Sequence, residues 1–160
     1  MGGSLEYWYH RGTMSTPQRL EEIIEEFSEA PASFKLPMLL EYSKKVPPLP
    51  PHLEGRREEM EQVHECQTPF FLAEDIDGEG RVTMYFDAPE QAPTTRSFAG
   101  VVYEGLNGLT VEEILATPDD FYTRMGLSEV VSPLRQRGIS AILWRLKKRI
   151  RADMEARQAS

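Results

Sequence analysis

The chain has 160 residues, 40% hydrophobic and 28% charged, the proportions of an ordinary globular protein large enough for one domain with a real core. Its formal net charge of −8 argues against general nucleic-acid binding, which needs a basic surface to displace counterions from phosphates. No apolar run approaches the ~18 residues of a membrane span, no charged-then-apolar leader suggests secretion, and a single cysteine, which cannot form an internal disulfide, fits a reducing cytoplasm.

Residues 1–13 contain Gly2-Gly3 and the aromatics Tyr7, Trp8 and Tyr9 without periodicity, and are expected to be a disordered leader. The fold then begins at Met14. Thr16 caps a predicted helix in which Pro17 takes the first turn and Leu20, Ile23, Ile24 and Phe27 recur at helical spacing. A second helix is predicted over 33–45, with Leu36, Leu39 and Leu40 inward. Val46-Pro47-Pro48-Leu49-Pro50-Pro51 ends it and must be extended. Such a segment either docks in an aromatic-lined groove of a partner or lies as a stiff connector on the core.

Residues 54–63 are charged and poor in apolar anchors, which predicts a short helix or irregular chain. Phe70 to Glu74 and Arg81 to Phe86 read as two strands of a hairpin turned by Asp75-Ile76-Asp77-Gly78-Glu79-Gly80. The turn's acidic residues lack the full ligand spacing of a calcium loop. Thr94 or Thr95 opens a helix through Glu104. Thr110, with Glu113 three residues on, forms a capping box over Val111 to Leu115. A short helix runs from Pro118 to Met125, stopped by Gly126. The last helix starts near Pro133 and extends to about Ala156, with Ile139, Ile142, Leu143, Leu146 and Ile150 as its buried stripe. The acidic run from Glu21 to Glu29 and the basic run from Arg145 to Arg151 read as solvated helix faces. The expected fold class is α+β, a small antiparallel sheet of about three strands covered by helices.

The chemistry rests on one sulfur. Cys66 follows a polar stretch and precedes Pro69 and the apolar run Phe70-Phe71-Leu72, which puts the thiol on a loop entering a sheet rather than within a helix. His64 lies two residues away, on the same side of an extended segment, where it could assist. No oriented third group completes a hydrolase constellation. His10, His52 and His64 do not combine with one cysteine into a zinc spacing, and Gly100, Gly105 and Gly108 are not spaced to cradle phosphate.

Taken together, Leu49-Pro50-Pro51, Cys66-Gln67-Thr68-Pro69-Phe70-Phe71, the helix through Gly105, Leu109-Thr110-Val111-Glu112-Glu113-Ile114 and Ser132-Pro133-Leu134-Arg135-Gln136-Arg137-Gly138 resemble the SufE family. The resemblance runs from about Pro17 to Arg151. It implies a SufE/NifU-like domain over 14–151, followed by a C-terminal tail at 152–160. It further implies a sulfur acceptor without a cofactor of its own, whose partners are a pyridoxal-phosphate-dependent cysteine desulfurase (SufS- or CsdA-like) and iron–sulfur scaffold proteins. The family's cysteine falls on Cys66, and the arginine of its Ser/Thr-Pro-x-Arg-x-x-Gly motif falls on Arg135. Where the family commonly has glycine before its cysteine, this chain has Glu65. A free thiol has a pKa of about 8.5, so a cation or a loop motion must tune it, and Arg135 is the implied cation. The family fold shields its sulfur between deliveries. Phe70 and Phe71 either contribute to that cover or, as strand residues, belong to ordinary core. Two rival readings are a cysteine-dependent thiol enzyme and a non-catalytic interaction module using the Pro47 to Pro51 segment.

Overall fold

The computed structural model describes residues 15–159; the expected leader over 1–13 lies outside the described residues. Helix α1 (Gln18–Glu29) buries Leu20, Ile23, Ile24 and Phe27 along one stripe, as their spacing predicts. Pro17 occupies its N-cap and no side chain caps it, so Thr16 is not the cap. Helix α2 (Ala32–Glu41) passes into a tight 3-10 turn over Tyr42–Lys45. Here the predicted inward set needs correction. Leu39 is fully buried, but Leu36 is 37% exposed and Lys35 takes an inward position instead. Lys35 can do so because its aliphatic stem packs while its ammonium lies 3.4 Å from Glu129 Oε1.

Helix α3 (Pro93–Leu106) is central and buries Phe98, Ala99, Val101, Val102 and Leu106. Two glycines let its neighbours approach. A β-carbon at Gly100 would stand 1.9 Å from the Tyr42 carbonyl oxygen, and one at Gly105 would stand 2.7 Å from Leu20 Cδ1. Helix α4 (Val111–Leu115) carries the predicted capping box, with Glu113 N–H donating to Thr110 Oγ1 and Thr110 N–H to Glu113 Oε1. Between it and the last helix, Phe121–Met125 forms a 3-10 turn rather than an α-helix, ended by Gly126 in the left-handed region at φ 71°. Helix α5 (Pro133–Ala159) buries Ile139, Ile142, Leu143, Leu146 and Ile150. It runs a little beyond the expected end near Ala156, with Met154 packed on the core and Arg157 donating to the Ile76 carbonyl at 2.6 Å.

The sheet has three antiparallel strands in the order β1 (Glu61–Gln62), β2 (Phe71–Ile76) and β3 (Val82–Asp87). The β2–β3 hairpin pairs Phe71 with Asp87 through to Ile76 with Val82. Its turn is set by Asp77, whose carboxylate accepts the N–H groups of Glu79 and Arg81, each at 2.9 Å. Strand alternation sorts the two faces. Leu72, Ile76, Val82, Met84 and Phe86 join the main core, against which α5 packs. Ala73, Phe71 and Tyr85 form a smaller cluster with Leu49, Leu53 and Met60 on the other face. Leu49 of the proline segment therefore serves as a cover for the outer face of the sheet.

Candidate functional site

Strand β1 comprises two polar residues that no apolar alternation announces, yet it fixes the site. Glu61 pairs with Leu72 and Gln62 with Phe71, and Val63 N–H donates to the Phe70 carbonyl at 2.8 Å. Six residues, 64–69, close the loop beyond that bond, with Cys66 near their middle. Cys66 N–H turns back to the Val63 carbonyl at 3.1 Å. The thiol is thus on the loop entering the sheet.

The sulfur points toward α5 and is partly buried rather than presented to solvent. It lies 3.2 Å from the position a β-carbon would take on Gly138 of α5, with Phe98 of α3 also bordering that point. Beside it opens a cavity of about 350 Å³ lined by Cys66, Gln67, Thr68, Phe98, Arg135 and Gly138, together with the first turns of two helices. Pro93, Thr94 and Thr95 begin α3, and Leu134 and Arg135 begin α5. Helix N-termini carry partial positive charge, so their convergence in the cavity wall favours an anion within the cavity. Thr68 Oγ1 is buried in this region without a hydrogen-bond partner among the described residues.

Arg135 lines the Cys66 cavity, and among the described residues its guanidinium has no hydrogen-bond or ion-pair partner. His64 is exposed and is not part of the cavity lining. Phe70 is fully buried and stacks obliquely on Phe86 with ring centroids 6.0 Å apart, while Phe71 lies under the Arg57 guanidinium at 4.7 Å. Both belong to the sheet's packing.

The cation that acts on the resting sulfur is one the sequence did not mark. Burial pushes the Cys66 thiol up to about 11, the adjacent Glu65 carboxylate adds to the rise, and Arg145 opposes it. Arg145 grips Glu65 through Nε to Oε1 at 2.8 Å and Nη2 to Oε2 at 3.1 Å, and donates through Nη1 to Glu61 Oε2 at 2.8 Å. Lys148 lies 3.2 Å from the same Glu61 oxygen, and Arg149 pairs with Glu74 at 2.5 Å. The basic run of α5 is therefore no solvated face. It meets carboxylates of β1, β2 and the cysteine loop because α5 packs along that edge of the sheet. Glu65, next to the cysteine, carries no local sign of this pairing in the sequence. Its partner lies 80 residues away, beyond the reach of local pattern.

No helix among the described residues is long and apolar enough to cross a membrane, and no cluster of three His, Cys, Asp or Glu side chains is arranged to hold a metal ion. The family model for SufE, an Fe–S metabolism associated domain, matches residues 21–150. An uncharacterized SufE-like protein of Mycobacterium tuberculosis is 46% identical over 137 residues, covering 86% of this chain and 94% of that one. The chloroplastic/mitochondrial SufE-like protein 1 of Arabidopsis thaliana is 28% identical over 134 residues, covering 83% of this chain and 35% of that longer protein. The solution structure of a hypothetical protein from Thermus thermophilus matches with a TM-score of 0.77 at 43% identity, over 88% of this chain and 99% of the other. With the fold, the cysteine loop and these similarities in agreement, the chain belongs to the SufE family.

Proposed function

We propose that this protein is a cytoplasmic sulfur acceptor that takes persulfide sulfur from a cysteine desulfurase onto Cys66, thereby stimulating it, and relays the sulfur to an iron–sulfur cluster scaffold. The observation that carries this reading is the placement of Cys66 on a short loop, beside a cavity lined by two helix N-termini and by Arg135. The resting sulfur is a neutral thiol, and Arg135 in the cavity wall supplies a cation for the anionic persulfide formed during transfer. In the step itself, the Cys66 thiolate attacks the outer sulfur of the donor's cysteine persulfide. A new sulfur–sulfur bond forms on Cys66, the donor's sulfur–sulfur bond breaks, and the donor cysteine leaves as a thiolate that takes up the proton Cys66 lost. No external oxidant or reductant is consumed. The chain activates its partner without being an enzyme in its own right, and any pyridoxal phosphate belongs to the desulfurase.

The resting thiol is held protonated by burial, so transfer requires the loop to leave its seat when the partner docks. On exposure the thiol returns toward its ordinary pKa of about 8.5. A hydrolase reading has less support, since no base hydrogen-bonds to the sulfur among the described residues. Arg135 is the docking or charge-supplying residue beside the sulfur, with His64 placed only to assist from the loop's outer side. Alanine release by the host's cysteine desulfurase, measured with the parent and with Arg135→Glu, tests this assignment. The variant should stimulate less, because charge reversal at the cavity opposes both docking and the incoming anion. Equal stimulation removes Arg135 from the site.

A further inference from the structure

We propose that Glu65 and Arg145 form a latch that holds the Cys66 loop closed, and that opening of the loop requires this ion pair to break. Its role in timing sulfur uptake rests on the sulfur-acceptor reading; the latch itself does not. The loop is otherwise weakly tied. Its base is closed by the Val63–Phe70 backbone bond, and the Cys66 N–H bond to Val63 stays within the same segment. Among the described residues, the Glu65 carboxylate makes the only side-chain hydrogen bonds that join residues 64–69 to the rest of the molecule. Cys66 itself contributes apolar packing against the core, seated beside Gly138 of α5.

The pair is better built than an ordinary surface ion pair. It is bidentate, at 2.8 and 3.1 Å, and the Arg145 side chain is only 14% exposed. Glu61, 18% exposed, holds the same guanidinium from the strand that begins the loop. Arg145 is thus fixed by β1 before it grips Glu65, which lowers the entropy cost of the second contact. Glu65 is 40% exposed, so solvent and a competing charge can reach it. One tether adjacent to the reactive residue, preorganised on one side and accessible on the other, is the arrangement of a releasable catch. With glycine at that position the catch would be lost.

The test is the rate at which a neutral maleimide alkylates Cys66 in the isolated protein, with no desulfurase present, so that its outcome is independent of the sulfur-transfer reading. Glu65→Gln should raise the rate about two- to fivefold, the range expected for loss of one partly exposed ion pair. Arg145→Gln should raise it too. That second variant separates loop release from simple electrostatics, because removing a nearby cation without opening the loop would leave less thiolate and slow alkylation. In the parent the rate should climb with sodium chloride, and in Glu65→Gln it should not. Glu21→Gln, which breaks the bidentate Arg124 pair remote from the loop, should match the parent. A parent-like rate in Glu65→Gln, slower alkylation in Arg145→Gln, a salt-independent parent, or equal acceleration by Glu21→Gln would each overturn the latch.

Discussion

Cys66 Sγ rests 3.2 Å from the point where a β-carbon on Gly138 would stand, so the absence of a side chain at Gly138 gives the sulfur its seat on α5. Gly138→Ala leaves the helix intact, alanine being the better helix former by about 1 kcal/mol. The contact requires its neighbour to yield by a few tenths of an ångström, and the neighbour is a loop thiol. The variant should therefore melt within a few degrees of the parent while its Cys66 reacts faster with maleimide. Slower alkylation would mean that the loop cannot yield in that direction.

The buried thiol has a consequence for pH. Its pKa is raised to about 11 in the folded state, above the ordinary value, so the folded chain retains its proton where the unfolded chain has begun to lose it. The stability this contributes is fully present below the unfolded pKa of about 8.5 and is lost as pH rises through the folded value near 11. Following thiolate absorbance of the free protein against pH should give a midpoint well above that of a short peptide carrying the same cysteine. A midpoint equal to the peptide's would show that the closed seat does not dominate in solution.

Arg96 is a structural node near the cavity. It donates to the carbonyls of Ser43 at 3.0 Å and Val46 at 3.2 Å, and also to that of Ala88, joining the turn after α2, the start of the proline segment and the link into α3. Arg96→Met leaves three carbonyls without their charged donor and should cost about 2–3 kcal/mol. Thermal unfolding followed by circular dichroism should show a fall of about 5–10 °C. An unchanged transition would mean that water replaces the guanidinium without loss.

What the sequence disclosed was local. The Thr110–Glu113 capping box is contained in four residues and the stripes of α1 and α5 within single helices, so pattern alone located them. The switch from polar residues to Phe70-Phe71 put Cys66 on a loop for the same reason. What it did not disclose depends on distant partners. Lys35 turns inward because Glu129 waits 94 residues away, and that rotation leaves Leu36 outside. Strand β1 is held by backbone pairing with β2 rather than by its side chains, Glu61 and Gln62. The electrostatics of Cys66 followed the same rule. The motif pointed to Arg135, which lines the cavity, whereas the cation acting on the resting thiol is Arg145, brought in by the packing of α5.

Intact mass of the protein after incubation with its host's cysteine desulfurase and cysteine, under non-reducing conditions, tests the central claim most directly. Cys66→Ser should fold like the parent, since exchanging sulfur for oxygen on a partly exposed loop opens no sizeable cavity. With no other cysteine in the chain, nothing can substitute for it. The parent should gain one sulfur atom, removable by a thiol reductant, and should accelerate alanine release; Cys66→Ser should gain none and should not accelerate it. A parent that gains no sulfur, or a serine variant that stimulates the desulfurase undiminished, would contradict the account.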